Sequence, residues 1–366
     1  MTKLCAIRVD SGRLHIKNRV MILGTNYGIY STGTSIIEGN STRIWGSEYA
    51  IYATYNSTTY IYGGTIGETG LTEGFGSTKS GYGIRMFGEA DRESVLNIDV
   101  PDGSIARITG TDRSIFRMNS TGSSVTCSTS TAMRLGSSTT YISELPTKSV
   151  SEDINLSANV KYPIYVNGTQ FMTTNIASGI ACGTGTAKLT VPANTTSGTY
   201  ILTLENATIN QANDLTGFVS AIRSERNLKI VLEGTNTIIV PAGTYSSTGI
   251  EMISKSALSI TGTGSLQINA TKELTHSNAI GDSVNGIYTD GSIVINCDTL
   301  KIDAKDIGIR YGTGLDVLGN TQLTVNTTDQ DSSYGIYGID GGFDLAGNAN
   351  ASIGGFTRAI MDAGNH

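Results

Sequence analysis

The stretch that decides the fold is residues 286–310, GIYTDGSIVINCDTLKIDAKDIGIR. It holds two copies of a short motif, a small residue followed by Ile and then Tyr or Arg, with the two Ile residues 22 positions apart. The first copy and two further runs, Ser292–Asn296 and Leu300–Ala304, are rich in residues typical of strands. Asp290-Gly291 lies between the first two runs and favours a sharp turn. The stretch therefore predicts one coil of a solenoid with three strands per coil.

The same motif recurs along most of the chain. Its copies are Ala6-Ile7-Arg8, Gly28-Ile29-Tyr30, Ala50-Ile51-Tyr52, Gly83-Ile84-Arg85, Ser114-Ile115-Phe116, Ala132-Met133-Arg134, Ala221-Ile222-Arg223, Gly249-Ile250-Glu251, Gly286-Ile287-Tyr288, Gly308-Ile309-Arg310, Gly335-Ile336-Tyr337 and Ala359-Ile360-Met361. A constant step of 22 residues with occasional longer steps is typical of a solenoid with insertions. We predict an all-β fold, a right-handed parallel β-helix in which coils of about 22 residues pair strand to strand.

Composition excludes several other classes. The chain has 366 residues with 45 Gly but only 5 Pro, and only 15% of the residues are charged. Collagen, coiled coils and disordered tails each need a different composition. A net charge of −6 without a basic cluster argues against nucleic-acid binding. The absence of a long apolar run argues against membrane insertion, and four widely spaced cysteines predict buried free thiols.

The motif divides the chain into two parts. It is dense in the first 140 residues, lapses until about residue 220 and then resumes. We predict a β-helical unit over 1–145, a linker over 146–161, a hairpin-rich cap over 162–205 and a second β-helical unit over 206–366. Asn167-Gly168 is the strongest hairpin signal in the cap. Because the first residues lack the layout of a signal peptide, we expect the first unit to be truncated and the secretion signal and anchor to lie outside this sequence.

Two segments carry a resemblance to a known family. YPIYVNGTQF at 162–171 and LTLENATI at 202–209 resemble a module of secreted carbohydrate-binding or adhesin-like, pectate-lyase-like β-helix proteins of anaerobic Gram-positive bacteria. The resemblance covers residues 160–366, and residues 1–140 through the coil motif alone. One departure is Pro163, where an acidic residue usually follows the Tyr. The resemblance implies a secreted or cell-surface location, a polysaccharide or host-glycan partner, and a monomeric module within a larger multidomain protein.

The residue after each repeated Ile is the main candidate for binding. Strand alternation turns that residue outward when the Ile faces inward. A tyrosine ring can stack on the apolar face of a sugar, and a guanidinium can bind hydroxyl or carboxylate oxygens. The alternative is that stacked Tyr and Arg side chains stabilise the exposed strands themselves. We predict carbohydrate binding by Tyr30, Tyr52, Arg85, Tyr288, Arg310 and Tyr337.

Acidic residues in the predicted corners suggest calcium as the one possible cofactor. Calcium prefers six to eight oxygen ligands, and Asp329 and Asp331 are the predicted metal ligands because a corner with two Asp side chains can supply several. Asp303 and Asp306 beside Arg310 are the local cluster that a lyase mechanism would use. With three His residues and no Gly-x-Ser-x-Gly segment, nucleophilic hydrolysis is not expected.

The sequence thus predicts a non-catalytic binding module at the cell surface or outside the cell, carbohydrate-binding or adhesin-like. We assign no catalytic residue, because the charged residues are sparse and spread along the chain. A calcium-dependent polysaccharide lyase or a glycoside hydrolase is the alternative. A structural spacer within a large surface protein is a further alternative.

Overall fold

The computed structural model describes residues 4–69, 78–119, 121–138, 141–142, 149–215, 217–275, 283–327 and 333–362. Their regular secondary structure consists of β-strands and one short helix, α1 (Thr173–Ile176). The chain divides into two compact units, Met1–Val160 (unit 1) and Lys161–His366 (unit 2). Most strands pair in parallel with their equivalents one coil further along the chain. The all-β, parallel-sheet character predicted from the sequence is therefore confirmed.

Unit 1 consists of three sheets that the chain visits in rotation. The first sheet contains β1 (Cys5–Val9), β4 (Tyr27–Ser31), β7 (Tyr49–Thr54), β10 (Tyr82–Phe87), β13 (Arg113–Arg117) and β16 (Ser149–Val150). The second contains β2 (Arg13–Ile16), β5 (Thr34–Ile37), β8 (Ser57–Ile61), β11 (Ser94–Ile98) and β14 (Ser123–Cys127). The third contains β3 (Met21–Gly24), β6 (Arg43–Gly46), β9 (Gly64–Ile66), β12 (Ile105–Ile108), β17 (Ile154–Ala158) and β15 (Thr131–Leu135).

The repeated Ile residues of the first sheet are in register. Ile29 pairs with Ile51, and Ile51 pairs with Ile84. All three are fully buried in the core of unit 1. Burial of each such side chain stabilises the fold by about 1.5–3 kcal/mol. The repeat therefore favours this register, because a slip of one residue would turn every Ile away from the core.

Unit 1 changes direction at its last strands. β16 pairs antiparallel with β13, and β17 lies antiparallel between β12 and β15. The segment predicted as a linker, 146–161, thus supplies two strands of unit 1. β15 belongs to the third sheet and not to the first, so Arg134 does not continue the series of residues that follow the repeated Ile.

A cluster of charged side chains holds β17 against its neighbours. Asp153, which directly precedes β17, lies within ion-pair distance of Arg107 and of Lys79, and it accepts a hydrogen bond from the buried Thr109 hydroxyl. Arg107 also pairs with Glu68 at 2.9 Å. Burial alone would raise the pKa of Asp153, but the hydrogen bonds from Thr109, Arg107 and Lys79 lower it overall. The carboxylate of Asp153 therefore stabilises the closing strand in its ionised form.

Unit 2 has two sheets. The first contains β18 (Lys161–Val166), β19 (Thr169–Met172), β24 (Asn213–Leu215), β25 (Phe218–Ser224), β28 (Ser246–Met252), β30 (Ser283–Thr289), β32 (Ile307–Tyr311), β35 (Tyr334–Gly338) and β38 (Arg358–Asp362). The second contains β20 (Ile180–Cys182), β21 (Gly185–Thr190), β22 (Tyr200–Glu205), β23 (Thr208–Ile209), β26 (Leu228–Glu233), β27 (Thr235–Ile239), β29 (Leu258–Ala270), β31 (Ser292–Ala304), β33 (Gly314–Val317), β34 (Gln322–Thr327), β36 (Phe343–Leu345) and β37 (Asn350–Gly354).

Unit 2 begins with antiparallel strands and continues with parallel ones. β18 and β19 form the hairpin predicted at Asn167-Gly168, where both residues have positive φ, as a two-residue hairpin turn requires. β20, β21 and β22 are also antiparallel to one another, whereas β22 pairs in parallel with β26. The change to parallel pairing thus occurs at β22, within the predicted cap.

Two coils of unit 2 differ from the three separate strands that the sequence predicts. Ser292–Asn296 and Leu300–Ala304 belong to one long strand, β31, and β29 has the same length. The register between β29 and β31 shifts between Gly262 and Ser265, where Gly262 has a φ of +117°. The corner is therefore a bulge inside a continuous strand, which glycine permits.

The small residue before each repeated Ile lies against the opposite wall of the coil. A Cβ atom added to Gly308 would come closer than 3.0 Å to Val325 Cγ1 and to the backbone oxygen of Gly335. Gly286 faces Ile302 and the backbone oxygen of Gly308 in the same way. The Gly and the Ile that follows it both point inward, so the chain bends at the Gly.

This close approach predicts a large effect of one methyl group. Gly308→Ala should lower the stability of unit 2 by about 1–3 kcal/mol, because the neighbouring backbone must move to admit the Cβ. Scanning calorimetry measures the change. Gly342→Ala is the matched control, since no described atom lies within 4 Å of its added Cβ. Equal melting temperatures for the two variants would contradict the packing described here.

The Asp153 cluster predicts how unit 1 responds to pH. Because the folded-state pKa of Asp153 is lowered, its stabilisation is present above its unfolded pKa and is lost as the pH falls through the folded pKa. Asp153→Asn should lower the free energy of unfolding at pH 7 by about 1–3 kcal/mol and weaken its decrease towards acidic pH.

Trp45, the single tryptophan of the chain, is buried in unit 1, so its fluorescence during urea unfolding reports on this unit. Asp91→Asn is the control, since the Asp91 side chain is 78% exposed. An acid profile of Asp153→Asn identical to that of the unmodified chain would argue against the cluster.

Candidate functional site

The residues that follow the inward Ile form a column on the first sheet of each unit, which we call the outer ladder. In unit 1 the pairing order is Arg8, Tyr30, Tyr52, Arg85 and Phe116. In unit 2 it is Arg223, Glu251, Tyr288, Arg310, Tyr337 and Met361. The structure thus brings Tyr30, Tyr52 and Arg85 together in unit 1. It likewise brings Tyr288, Arg310 and Tyr337 together in unit 2.

A second column lies beside each outer ladder, and simple alternation does not predict it. Because the motif Gly and Ile both point inward, the residue before the Gly points outward. Tyr27 shows this, since its ring contacts the outward ring of Tyr30 at a centroid distance of 6.1 Å. We call the residues two positions before each Ile the adjoining column. The bend at the Gly therefore gives each first sheet two neighbouring outward columns.

In unit 1 the adjoining column is filled with rings. Tyr27 and Tyr49 stack at 5.3 Å between centroids, and Tyr49 and Tyr82 stack at 5.2 Å. These rings also pack against the outer ladder, with Tyr49 and Tyr52 at 5.5 Å. Tyr27 and Tyr49 are buried by this packing. The first sheet of unit 1 therefore carries an aromatic slab, made of Tyr27, Tyr30, Tyr49, Tyr52, Tyr82 and Phe116, whose members contact one another.

Arg85 fits into this aromatic slab. Its guanidinium lies 4.9 Å from the ring centroid of Tyr49 and 5.1 Å from that of Tyr52, and it donates a hydrogen bond to the Tyr49 hydroxyl. Burial is the largest cause that raises the pKa of Tyr30, followed by the neighbouring Tyr52. The rings and the guanidinium already stabilise one another, as cation–π pairs do.

In unit 2 the adjoining column begins with small polar side chains, and a groove results. Ser220, Thr248 and Asn285 pair in this order across β25, β28 and β30. The groove, of about 310 Å³, lies between Thr248 and Asn285 of this column, the outer ladder and Phe218 at the start of β25. Its lining residues include Phe218, Thr248, Glu251, Asn285, Tyr288 and Arg310.

Each of the two carboxylates that line this groove lies near a guanidinium. Glu251 accepts a hydrogen bond from the Ser220 hydroxyl and lies 4.0 Å from Arg223 Nε. Asp290 also lines the groove, 3.9 Å from Arg310 Nη2.

Tyr288 and Arg310 stack along the outer ladder. The Arg310 guanidinium lies 4.7 Å from the centroid of the Tyr288 ring. The Tyr288 hydroxyl donates to Asp290 at 3.3 Å. Burial raises the pKa of Tyr288, Arg310 opposes this, and Asp290 adds to it. The phenol therefore remains protonated at neutral pH and keeps its hydrogen bond.

An exposed aromatic pair borders the groove. The Phe218 side chain is 52% exposed, and its ring lies 5.7 Å from that of Tyr245, which is 38% exposed. Sequence reasoning missed this pair because neither residue belongs to the repeated motif.

The floor of the groove contains a polar atom without a partner. Asn285 is 2% exposed, and its Nδ2 donates to the Ser283 hydroxyl at 2.9 Å. Its Oδ1 has no hydrogen-bond partner among the described residues. An unpaired buried acceptor costs about 1–3 kcal/mol, so this oxygen marks a place where a ligand donor would be stabilised.

The predicted cluster of Asp303, Asp306 and Arg310 does not assemble. Asp303 accepts hydrogen bonds from Gln267 and Asn326 on the second sheet of unit 2, whereas Arg310 lies on the first sheet. The Asp306 carboxylate accepts the backbone N–H of Val284 at 2.7 Å. Both acids thus have structural partners away from the Arg310 guanidinium.

The predicted calcium ligands, Asp329 and Asp331, lie outside the described residues. Within the described ranges, no group of three or more His, Cys, Asp or Glu side chains is arranged to hold a metal ion.

The four cysteines are free thiols. Burial raises the pKa of Cys127 and Cys182 to about 11 and that of Cys297 to about 12. These three thiols therefore stay protonated at neutral pH and are poor nucleophiles.

Comparisons of the chain with protein-family models, curated proteins and solved structures find no match. In the part of the chain that the structure describes, no helix has the length and apolar character needed to span a bilayer.

Proposed function

We propose that both units are right-handed parallel β-helices and that the chain is a non-catalytic carbohydrate-binding module, secreted or displayed at a cell surface. The observation that carries this proposal is the groove of unit 2. It combines an exposed ring, a ladder of Tyr and Arg, and hydrogen-bonding groups on an open surface. Sugar recognition uses these groups, because a ring packs on the apolar face of a pyranose while polar side chains bind its hydroxyls.

Unit 2 is the better binding surface of the two. Arg310 lies between Tyr288 and Tyr337, at 4.7 and 5.9 Å from their ring centroids, and Tyr334 extends the cluster. Neighbouring coils are about 4.8 Å apart, so these side chains present a regular series to an extended chain. We propose that a polysaccharide or a host or cell-surface glycan binds along this series, on a monomeric module of a larger protein.

The aromatic slab of unit 1 favours a structural role for that surface. Its rings contact one another, and two of them are buried, so much of their apolar area is already used in packing. This supports the spacer alternative for unit 1, with the outer rings Tyr30 and Tyr52 as a weaker binding surface.

Glycoside hydrolysis is the second candidate, because Glu251 and Asp290 line the same groove. Two carboxylates on one sugar site are the minimum that such a reaction needs. Each carboxylate lies near a guanidinium and accepts a hydrogen bond from a hydroxyl. Because both carboxylates already have these partners, the arrangement favours binding over proton transfer. A lyase has less support, since Asp303 and Asp306 lie apart from Arg310.

A triple substitution tests the binding proposal. Tyr288→Ala, Arg310→Ala and Tyr337→Ala together should weaken binding to the glycans that the unmodified chain selects on an array by about 100-fold or more, since stacked rings and their guanidinium dominate such contacts. The matched control combines Lys229→Ala, Thr237→Ala and Ser259→Ala on the second sheet of unit 2.

Retained binding in the triple variant, with the control also unchanged, would contradict the ladder as the binding surface. If the unmodified chain releases reducing ends from the selected glycan and Glu251→Gln does not, the chain is a hydrolase and not a binding module. If the chain forms unsaturated products from polygalacturonate in the presence of calcium, it is a lyase.

A further inference from the structure

We propose that the groove of unit 2 selects an uncharged sugar residue, with the Asn285 amide as hydrogen-bond acceptor at its floor and the Phe218 ring as a wall for the sugar face. This inference rests on the proposed carbohydrate-binding function and names its ligand class. It assigns specificity to two residues that lie outside the repeated motif of small residue, Ile and outer-ladder residue.

The unpaired oxygen of Asn285 requires a donor. Ser283 uses the amide nitrogen, so the oxygen is left buried without a partner among the described residues. The terminal torsion of Asn is broad, so a small rotation of the amide turns the oxygen towards the groove. A sugar hydroxyl is a donor of suitable size, and a hydrogen bond from it removes the cost of the buried acceptor.

The charges of the groove indicate a neutral ligand. Glu251 faces Arg223, and Asp290 faces Arg310, so each carboxylate has a guanidinium at about 4 Å. An anionic sugar would meet the carboxylates of Glu251 and Asp290, and a cationic sugar would meet the guanidinium of Arg310, which also lines the groove. Either would disturb the existing pairs, whereas hydroxyl groups can bind both kinds of side chain without a charge penalty.

Phe218 supplies the apolar surface that such a ligand needs. Phe218 is about half exposed and lines the groove, and its ring packs against that of Tyr245 at a centroid distance of 5.7 Å. Burying this ring against the apolar face of a pyranose removes apolar area from water. In unit 1 the rings of Tyr27, Tyr49 and Tyr82 occupy the adjoining column beside the outer ladder, where unit 2 has its groove.

The experiment measures affinities by calorimetry with two sets of probes. The neutral set consists of linear hexasaccharides of glucose, mannose and galactose, and the charged set of hexagalacturonate and hexaglucosamine. Asn285→Leu removes the unpaired oxygen at similar side-chain size, and Phe218→Ala removes the wall at an exposed position. Asn348→Leu, at an exposed corner of unit 2, is the matched control.

At least one neutral hexasaccharide should bind more tightly than both charged ones. Asn285→Leu and Phe218→Ala should each weaken that binding by about tenfold or more, with the control unchanged. A preference for a charged hexasaccharide, or unchanged affinity in both groove variants, overturns this inference while the carbohydrate-binding function stands. If the unmodified chain binds none of the probes and no glycan on the array, the function fails and the inference fails with it.

Discussion

The stacking of inward Ile residues, each preceded by a small residue at a bend, is the interaction on which the structure depends. Ile287, Ile309 and Ile336 are fully buried and pair in register across neighbouring coils. The bend brings the preceding Gly against the opposite wall, as Gly308 shows against Val325. Hydrophobic burial thus fixes the register, and the lack of a Cβ lets the coil close.

The same bend decides what the surface can do. It turns two columns of side chains outward on one sheet, and the residues in the adjoining column determine the outcome. Tyr27 and Tyr49 make this surface an aromatic slab in unit 1. The small polar side chains of Thr248 and Asn285 leave a groove in unit 2. The same backbone arrangement therefore gives a surface of mutually packed rings in unit 1 and an open groove in unit 2.

The sequence predicts the register well because it repeats. Tyr288 and Arg310 could be assigned to one column from the motif alone, since the Ile beside each has one favourable environment. The adjoining column could not be predicted. Strict strand alternation turns Asn285 inward, like the Ile two residues later, and only the bend at the Gly turns its side chain outward.

The sequence also does not predict contacts between residues that lie far apart along the chain. Asp153 contacts Arg107 and Lys79 because strand β17, which it precedes, runs antiparallel to its neighbours. No repeat in the sequence indicates that reversal. The groove depends on Phe218, which lies just before a copy of the motif. No sequence pattern marks Phe218 as a functional residue. Single residues outside the repeat are therefore where sequence reasoning fails.

The most direct test of the central claim is a distance between two outer-ladder positions that are far apart in the sequence. Arg223→Cys and Tyr337→Cys, with Cys5 and Cys127 replaced by Ser, can carry nitroxide labels for pulsed electron paramagnetic resonance. The two positions are four coil steps apart, which predicts a backbone separation of about 19 Å and a single narrow distribution near that value. A distribution centred beyond about 35 Å would contradict the in-register stack, since seven or more coil steps would then separate the two residues.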